Sequence, residues 1–169
     1  GMVQWITEDS SDSAILLAAY EKWGTSLLDK IDGDYAFGIY DQQERTLFAA
    51  RDPFGIKPLF YASTPAAFLF ASEPKQLLRG SGISQKLDDM IIGEFLFSSF
   101  QDNRRTFFAN VSRLRPAHYL IATTNGVREI RYWNPAPNDL AARSTREVLE
   151  EFRRLFKSAV EKRLNTDWP

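Results

Sequence analysis

Cysteine is absent from all 169 residues. That single absence removes disulfides, thiolate metal sites and thiol nucleophiles together. Histidine occurs once, as His118, inside the run Ala-His-Tyr-Leu-Ile-Ala-Thr that reads as a strand entering a core. With no evident acidic or nucleophilic partner in that run, His118 is expected to be a structural hydrogen bonder or a surface residue and not a catalytic base. No metal ligand set suggests itself, and none is expected. Surplus charge is also missing: 21 Lys plus Arg stand against 22 Asp plus Glu, so no basic stripe exists to neutralise phosphates and nucleic acid is not an expected partner. No apolar run reaches the roughly 18 residues of a membrane span. The first residues lack the basic and apolar regions of a signal peptide. The expectation is a soluble, cytoplasmic chain with no membrane partner.

Large side chains are plentiful. Thirteen Phe, six Tyr and four Trp must supply much of the packing, which argues for a folded chain and against disorder. The length suits one domain, or one domain and a fragment of another.

The densest stretch is Arg51 to Leu78, Arg-Asp-Pro-Phe-Gly-Ile-Lys-Pro-Leu-Phe-Tyr followed by two short apolar runs and Ser-Glu-Pro. Pro53 and Pro58 fix φ and remove donors, and Gly55 permits a positive φ. The segment therefore reads as a shaped, rigid turn between strands. Arg51, Asp52 and Lys57 are expected to hold that turn against neighbouring backbone.

Gly1-Met2 reads as a tag remnant before an initiator methionine, and Val3, Trp5 and Ile6 as a short strand. The polar cluster from Thr7 to Ser13 supplies caps for a helix whose apolar positions are Ile15, Leu16, Ala19, Tyr20 and Trp23, with Gly24 past its end. Residues 34–71 predict a four-stranded antiparallel meander. Its first strand is expected to be interior, with Ala36 and Gly38 letting another element approach closely. Ser72 is expected to cap a helix entering through Pro74, and Asp88 or Asp89 a second one bearing Met90, Ile91, Phe95 and Leu96. Val111–Leu114, His118–Thr123 and Val127–Trp133 read as strands, the last two joined by an Asn125-Gly126 hairpin turn. Residues 134–138 resemble a linker. A capping box from Ser144 to Glu147 opens an amphipathic helix with Leu149, Phe152, Phe156, Ala159, Val160 and Leu164 on one stripe.

Three blocks in this order, Ser11 to Asp41, Arg51 to Leu78, and Arg113 to Ile121 followed by Arg-Tyr-Trp-Asn-Pro, resemble the glutamine-dependent asparagine synthetase family. The resemblance runs from about Thr7 to the C-terminus. It implies an α+β fold, the αββα sandwich of N-terminal-nucleophile glutaminases, in which two antiparallel sheets lie between helices. It further implies that residues 3–140 are a partial glutaminase (class II amidotransferase) domain lacking its first strands, and that 141–169 are the linker and first helix of a synthetase domain.

In that family an N-terminal Cys thiolate attacks the carboxamide of glutamine, and a second domain uses ATP and Mg to join the ammonia to an adenylated aspartate. Neither the Cys nor a Ser-Gly-Gly-x-Asp-Ser pyrophosphate loop is in this sequence. No catalytic residue and no cofactor is therefore assigned to it. One ligand position does carry over: Asp12, with Ser11 before it, matches the aspartate that receives the α-ammonium of glutamine. Its competing role is to cap the first helix, which is the expected one in this chain alone. Ala14 departs from the acidic residue usual there. Glutamine is an expected partner only if the preceding part of the family's site is supplied. Two further readings stay open: a nucleophile-less glutaminase-like scaffold or association module, and the inert N-terminal domain of a ligase resembling β-lactam synthetases or lasso-peptide cyclases. Exposed apolar surface on the terminal helix suggests self-association or docking to a synthetase domain.

Overall fold

The computed structural model describes residues 10–80, 82–99, 102–136 and 144–164. The expected strand at Val3, Trp5 and Ile6 lies outside the described residues, as do Phe100, Gln101 and the tail after Leu164. The chain divides into two compact units, Gly1–Asn134 and Pro135–Pro169.

The first unit opens with helix α1 (Asp12–Trp23), and a 3₁₀ helix (Gly24–Asp29) follows. Strands β1 (Ala36–Asp41), β2 (Thr46–Arg51), β3 (Phe60–Ser63) and β4 (Phe68–Ala71) come next, then short helix α2 (Pro74–Leu77) and helix α3 (Asp89–Leu96). β5 (Ser112–Arg113), β6 (His118–Thr123) and β7 (Gly126–Arg131) complete the unit. All pairings are antiparallel, in a four-stranded sheet of order β1-β2-β6-β7 and a three-stranded sheet of order β4-β3-β5.

Three apolar clusters define the layers. Phe48, Ala50, Tyr119 and Ile121 of the larger sheet pack with Leu16, Ala19, Tyr20, Leu27 and Leu28 from the two N-terminal helices. On the opposite face, Ala49, Leu120 and Ala122 meet Leu59, Tyr61 and Leu114 of and beside the smaller sheet. The far face of that sheet, through Phe60, Ala62 and Val111, is covered by Leu77 and Ile83. Alternation along each strand sends successive side chains to opposite layers. The result is helix, sheet, sheet, helix, the αββα sandwich.

The expected four-stranded meander does not form. Residues 34–71 form two hairpins in two different sheets, because the proline-rich Arg51–Phe60 connection carries the chain from one sheet to the other. β1, expected to be interior, is an edge strand among the described residues, and Tyr40 stays 59% exposed. The close approach at Gly38 is present all the same: a Cβ there would lie 2.9 Å from the Phe70 ring of the other sheet. The strand expected over Val111–Leu114 pairs only at Ser112–Arg113. Helix α2 is capped by Glu73, whose backbone N–H donates to the Gln76 side chain at 3.4 Å, and not by Ser72. Of the two aspartates offered for α3, Asp88 is the cap, accepting from Met90 and Ile91. Its other partner is the Arg105 guanidinium at 2.6 Å. Burial alone would raise the Asp88 carboxyl, but the Arg105 and backbone hydrogen bonds outweigh it and hold it below its ordinary value.

In α1 the buried residues are Ala18 and Ala19, flanked by Leu16 and Tyr20, while Ile15 and Trp23 of the expected stripe face largely outward. The hairpin expected near Asn125-Gly126 forms one residue earlier: Thr123 pairs with Gly126, so Thr124 and Asn125 make the turn and Gly126, at φ 133°, opens β7. The second unit contains helix α4 (Thr145–Leu164), opened by the expected capping box: Ser144 backbone and hydroxyl donate to Glu147 at 2.7 Å, and the Glu147 amide donates back to the hydroxyl. No helix among the described residues is long and apolar enough to cross a membrane.

Phe48 is 1% exposed and touches the rings of Tyr20, Phe37 and Tyr119. Phe48→Ala is expected to cost about 3–5 kcal/mol, read as a lower urea midpoint at unchanged slope. Tyr40→Ala, on the exposed edge, should stay within about 0.5 kcal/mol.

Candidate functional site

Two places concentrate functional residue types in the first unit, the start of α1 and the turn that leaves β2. At the helix start, Ser11 is the N-cap: its extended backbone and its hydroxyl serve the Ala14 amide, and its carbonyl accepts from Ala14 and Ile15. This corrects the expectation that Asp12 spends its carboxylate on capping. Asp12 is the first helical residue, exposed, and its side chain has no hydrogen-bond or ion-pair partner among the described residues. The helix dipole favours an anion at that position, so an ionised carboxylate is held at a fixed point with its oxygens open to an incoming cation.

The second place is built around Asp52, which is 1% exposed. One of its carboxylate oxygens accepts the amides of Phe54 at 3.1 Å and Ile56 at 3.0 Å, and the other accepts that of Lys57 at 3.0 Å. Arg51 does the converse. Its guanidinium donates to the carbonyls of Gly55 at 2.5 Å, Lys57 at 2.7 Å and Leu114 at 2.7 Å. Acidic and basic side chains thus satisfy the donors and acceptors of one turn, and the Leu114 bond ties that turn to the second passage between the sheets. The Asp52 carbonyl adds another tie, accepting from Ala117 at 3.0 Å. Gly55 sits at φ 68°, and a Cβ on it would lie 2.7 Å from Pro116.

Behind the turn, the Tyr132 hydroxyl donates to the Arg51 carbonyl at 2.7 Å and meets the Tyr35 hydroxyl at 2.8 Å. Burial, the Tyr35 bond and the nearby Asp52 charge push the Tyr132 phenol well above its ordinary value. Burial likewise raises Tyr35. Burial lowers Arg51, with Arg113 adding to that and Asp52 opposing it. Through these bonds Tyr132 ties the chain leaving β7 to the end of β2 and to Tyr35. The Lys57 side chain is exposed; its contribution to the turn is its backbone.

His118 is half-buried, with Nδ1 2.7 Å from the Pro116 carbonyl. A carbonyl can only accept, so Nδ1 carries a proton and the ring fixes the chain as it enters β6. This matches the structural role expected for it. The sequence did not flag Glu129, whose side chain is 8% exposed and is held by Arg115 at 2.8 Å, Arg104 at 3.5 Å and Tyr61 at 3.3 Å. Its alternation on β7 was the available signal, since it lies two residues from Val127, which packs against the core between the sheets. No group of three or more acidic or histidine ligands among the described residues can hold a metal.

Two antiparallel sheets between helical layers define the fold class, the αββα sandwich. A family model described as a glutamine amidotransferase domain matches residues 3–133, and the chain belongs to that family. It is 33% identical over 163 residues to glutamine-hydrolyzing asparagine synthetase 3 of Bacillus subtilis (strain 168), covering 96% of this chain and 26% of that protein. Amidase chyE of Penicillium rubens is 34% identical over 164 residues, covering 95% and 24%. Among solved structures, a glutamine phosphoribosylpyrophosphate amidotransferase from B. subtilis, complexed with ADP and GMP, shares the fold with a TM-score of 0.51 at 19% identity, over 77% of this chain and 24% of that one. The chain spans about a quarter of the length of the curated relatives it matches.

Asp52→Ala strands three backbone donors and is expected to destabilise the fold by about 3 kcal/mol. Gly55→Ala combines a left-handed φ with a clash and should cost about 2–3 kcal/mol. Both are read by urea unfolding of the 169-residue chain, and a loss under 1 kcal/mol for either would contradict the described role of the turn.

Proposed function

We propose that this chain supplies the glutaminase scaffold and the ammonium-binding carboxylate of a glutamine-dependent, asparagine-synthetase-type amidotransferase. The observation that carries the reading is Asp12. It stands at the family's glutamine position, relieved of capping by Ser11 and open at the first turn of α1. A carboxylate opposite the α-ammonium of glutamine forms a charge-assisted hydrogen bond and selects an α-amino acid over a simple amide.

Amide hydrolysis of this class needs a nucleophile, and the 169 residues hold no cysteine. The role of these residues is accordingly to bind and orient glutamine. The attacking thiolate and the oxyanion donors belong to other residues of an active enzyme. Transfer of the ammonia to aspartate, with ATP, rests on the relationship to the synthetases.

A second reading keeps the glutamine site and changes the acceptor. It is favoured by the amidase of P. rubens, whose identity to this chain, 34%, equals that of the asparagine synthetase within one per cent. Assay of candidate carboxylate acceptors with ammonia as donor separates the two readings.

Two outcomes are expected. The purified 169-residue chain alone releases no ammonia from glutamine above a blank. In an active amidotransferase carrying this chain, Asp12→Asn raises KM for glutamine about 10–100-fold, as expected for a lost charge-assisted bond, and leaves turnover with free ammonia unchanged. An unchanged glutamine KM would remove Asp12 from the site.

A further inference from the structure

A cavity of about 130 Å³ lies on the outer side of the smaller sheet, between Phe60 of β3, Ile91 of α3, and Phe107 and Phe108 of the connection to β5. Its floor is well covered, with Phe60 9% and Ile91 5% exposed. Three of the polar side chains that line it are already engaged. The Thr106 hydroxyl is taken up by the backbone of Phe108 and Val111. Arg105 is clasped by both oxygens of Asp88. One Asp102 oxygen accepts the amides of Arg104 at 2.6 Å and Arg105 at 3.2 Å.

Arg113, the fourth, is different. Its backbone is fixed, paired with Phe60 in the ladder of β3 and β5 and donating to the Arg104 carbonyl at 2.6 Å. Its guanidinium carbon lies 5.5 Å from the centroid of the Phe60 ring, and among the described residues the group has no hydrogen-bond or ion-pair partner. The residue is half-buried, and its charge reaches Arg51, whose guanidinium it lowers after burial has done so. A guanidinium has five donors. One that lines an apolar cavity close to a second cation is a charge without its counter-ion, and buried charges are paired as a rule.

The lining selects what would supply that counter-ion. A planar guanidinium matches a carboxylate through two parallel N–H···O bonds. The aromatic and aliphatic walls suit an apolar body. A volume of 130 Å³ equals about four waters at roughly 30 Å³ each, which limits that body to a few carbon atoms and excludes a nucleotide. Asp102 opposes a second negative charge: the Arg104 amide, ahead of burial acting the other way, holds its carboxyl below the ordinary value, so it is ionised at neutral pH. A monoanion is therefore favoured over a phosphate dianion.

We infer that this cavity binds a short aliphatic monocarboxylic acid of the size of isobutyrate, with its carboxylate on Arg113 and its alkyl group among Phe60, Ile91, Phe107 and Phe108. The site lies on the outer face of the smaller sheet, whereas α1 lies on the outer face of the larger one, so it is independent of the Asp12 reading. For so few ligand atoms the dissociation constant is on the order of 1 mM.

Titration of the ¹⁵N-labelled 169-residue chain with sodium isobutyrate to about 50 mM, at constant ionic strength, tests it by amide chemical shifts. Saturable shifts at Ile91, Thr106, Phe107 and Phe108 are expected. Isobutyramide, which has the same shape without the charge, and methylphosphonate should each bind at least about tenfold more weakly. Arg113→Gln should weaken isobutyrate about tenfold or more while the urea midpoint stays within about 0.5 kcal/mol of the parent, since the side chain has no partner to lose. Phe107→Ala, at a 42% exposed position, should weaken it severalfold through the lost apolar wall. Shifts that do not saturate or that fall outside the cavity overturn the inference. Equal binding of isobutyramide, or isobutyrate binding unchanged in Arg113→Gln, overturns it equally.

Discussion

The structure depends on one ion-bearing dipeptide at the place where the chain changes sheets. A two-sheet sandwich built from one chain must cross between layers, and each crossing leaves backbone donors and acceptors that no strand can satisfy. Arg51 and Asp52 solve this locally. Asp52 takes the amides of the turn, Arg51 takes its carbonyls, and both reach the second crossing at Leu114 and Ala117. The two passages are thereby fixed to one another, and the register of β2 against β6 follows from where they are fixed. Buried charges are tolerated because every polar atom is bonded; no buried side-chain nitrogen or oxygen among the described residues lacks a partner.

With the sheets locked by these crossings, α1 and the 3₁₀ helix lie on the larger sheet through Leu16, Ala19, Tyr20, Leu27 and Leu28. The aromatic ring group around Phe48 makes that seat rigid. A helix seated this way presents its first turn at a defined point, and the division of labour between Ser11 and Asp12 leaves the Asp12 carboxylate free of capping. The scaffold and the first turn of α1 are thus physically linked: the buried sheet face that stabilises the unit also fixes where the Asp12 carboxylate stands.

Much of this was legible in the sequence. Turn chemistry marked the hairpin before β7, one residue late, and the Ser144–Glu147 capping box, because both depend on residues within four positions of one another. The rigid Pro-Phe-Gly turn and the structural part played by Arg51, Asp52 and His118 followed from local backbone constraints in the same way. Strand alternation located β1, β2, β3, β4, β6 and β7, but it could not say which sheet a strand joins. Alternation describes two faces and is silent about the neighbour, so two consecutive hairpins read the same as one meander.

The identity of the helix caps shows the same boundary. Ser11 and Asp12 are both competent caps, and composition favours Ser72 over Glu73, yet Glu73 takes the N-cap of α2. Which residue adopts the extended backbone of an N-cap is set by how the helix is seated against the layers. Glu129 is a further case, an ordinary surface residue by composition that two arginines and a tyrosine from distant segments draw into the interior. What the sequence by itself determined was the local chemistry: turns, capping boxes, strand periodicity, and the absence of a thiol. Tertiary structure alone decided the division into two sheets, the stitching of their crossings, and the freedom of the Asp12 carboxylate, because each depends on which distant atoms the packed layers bring within bonding range.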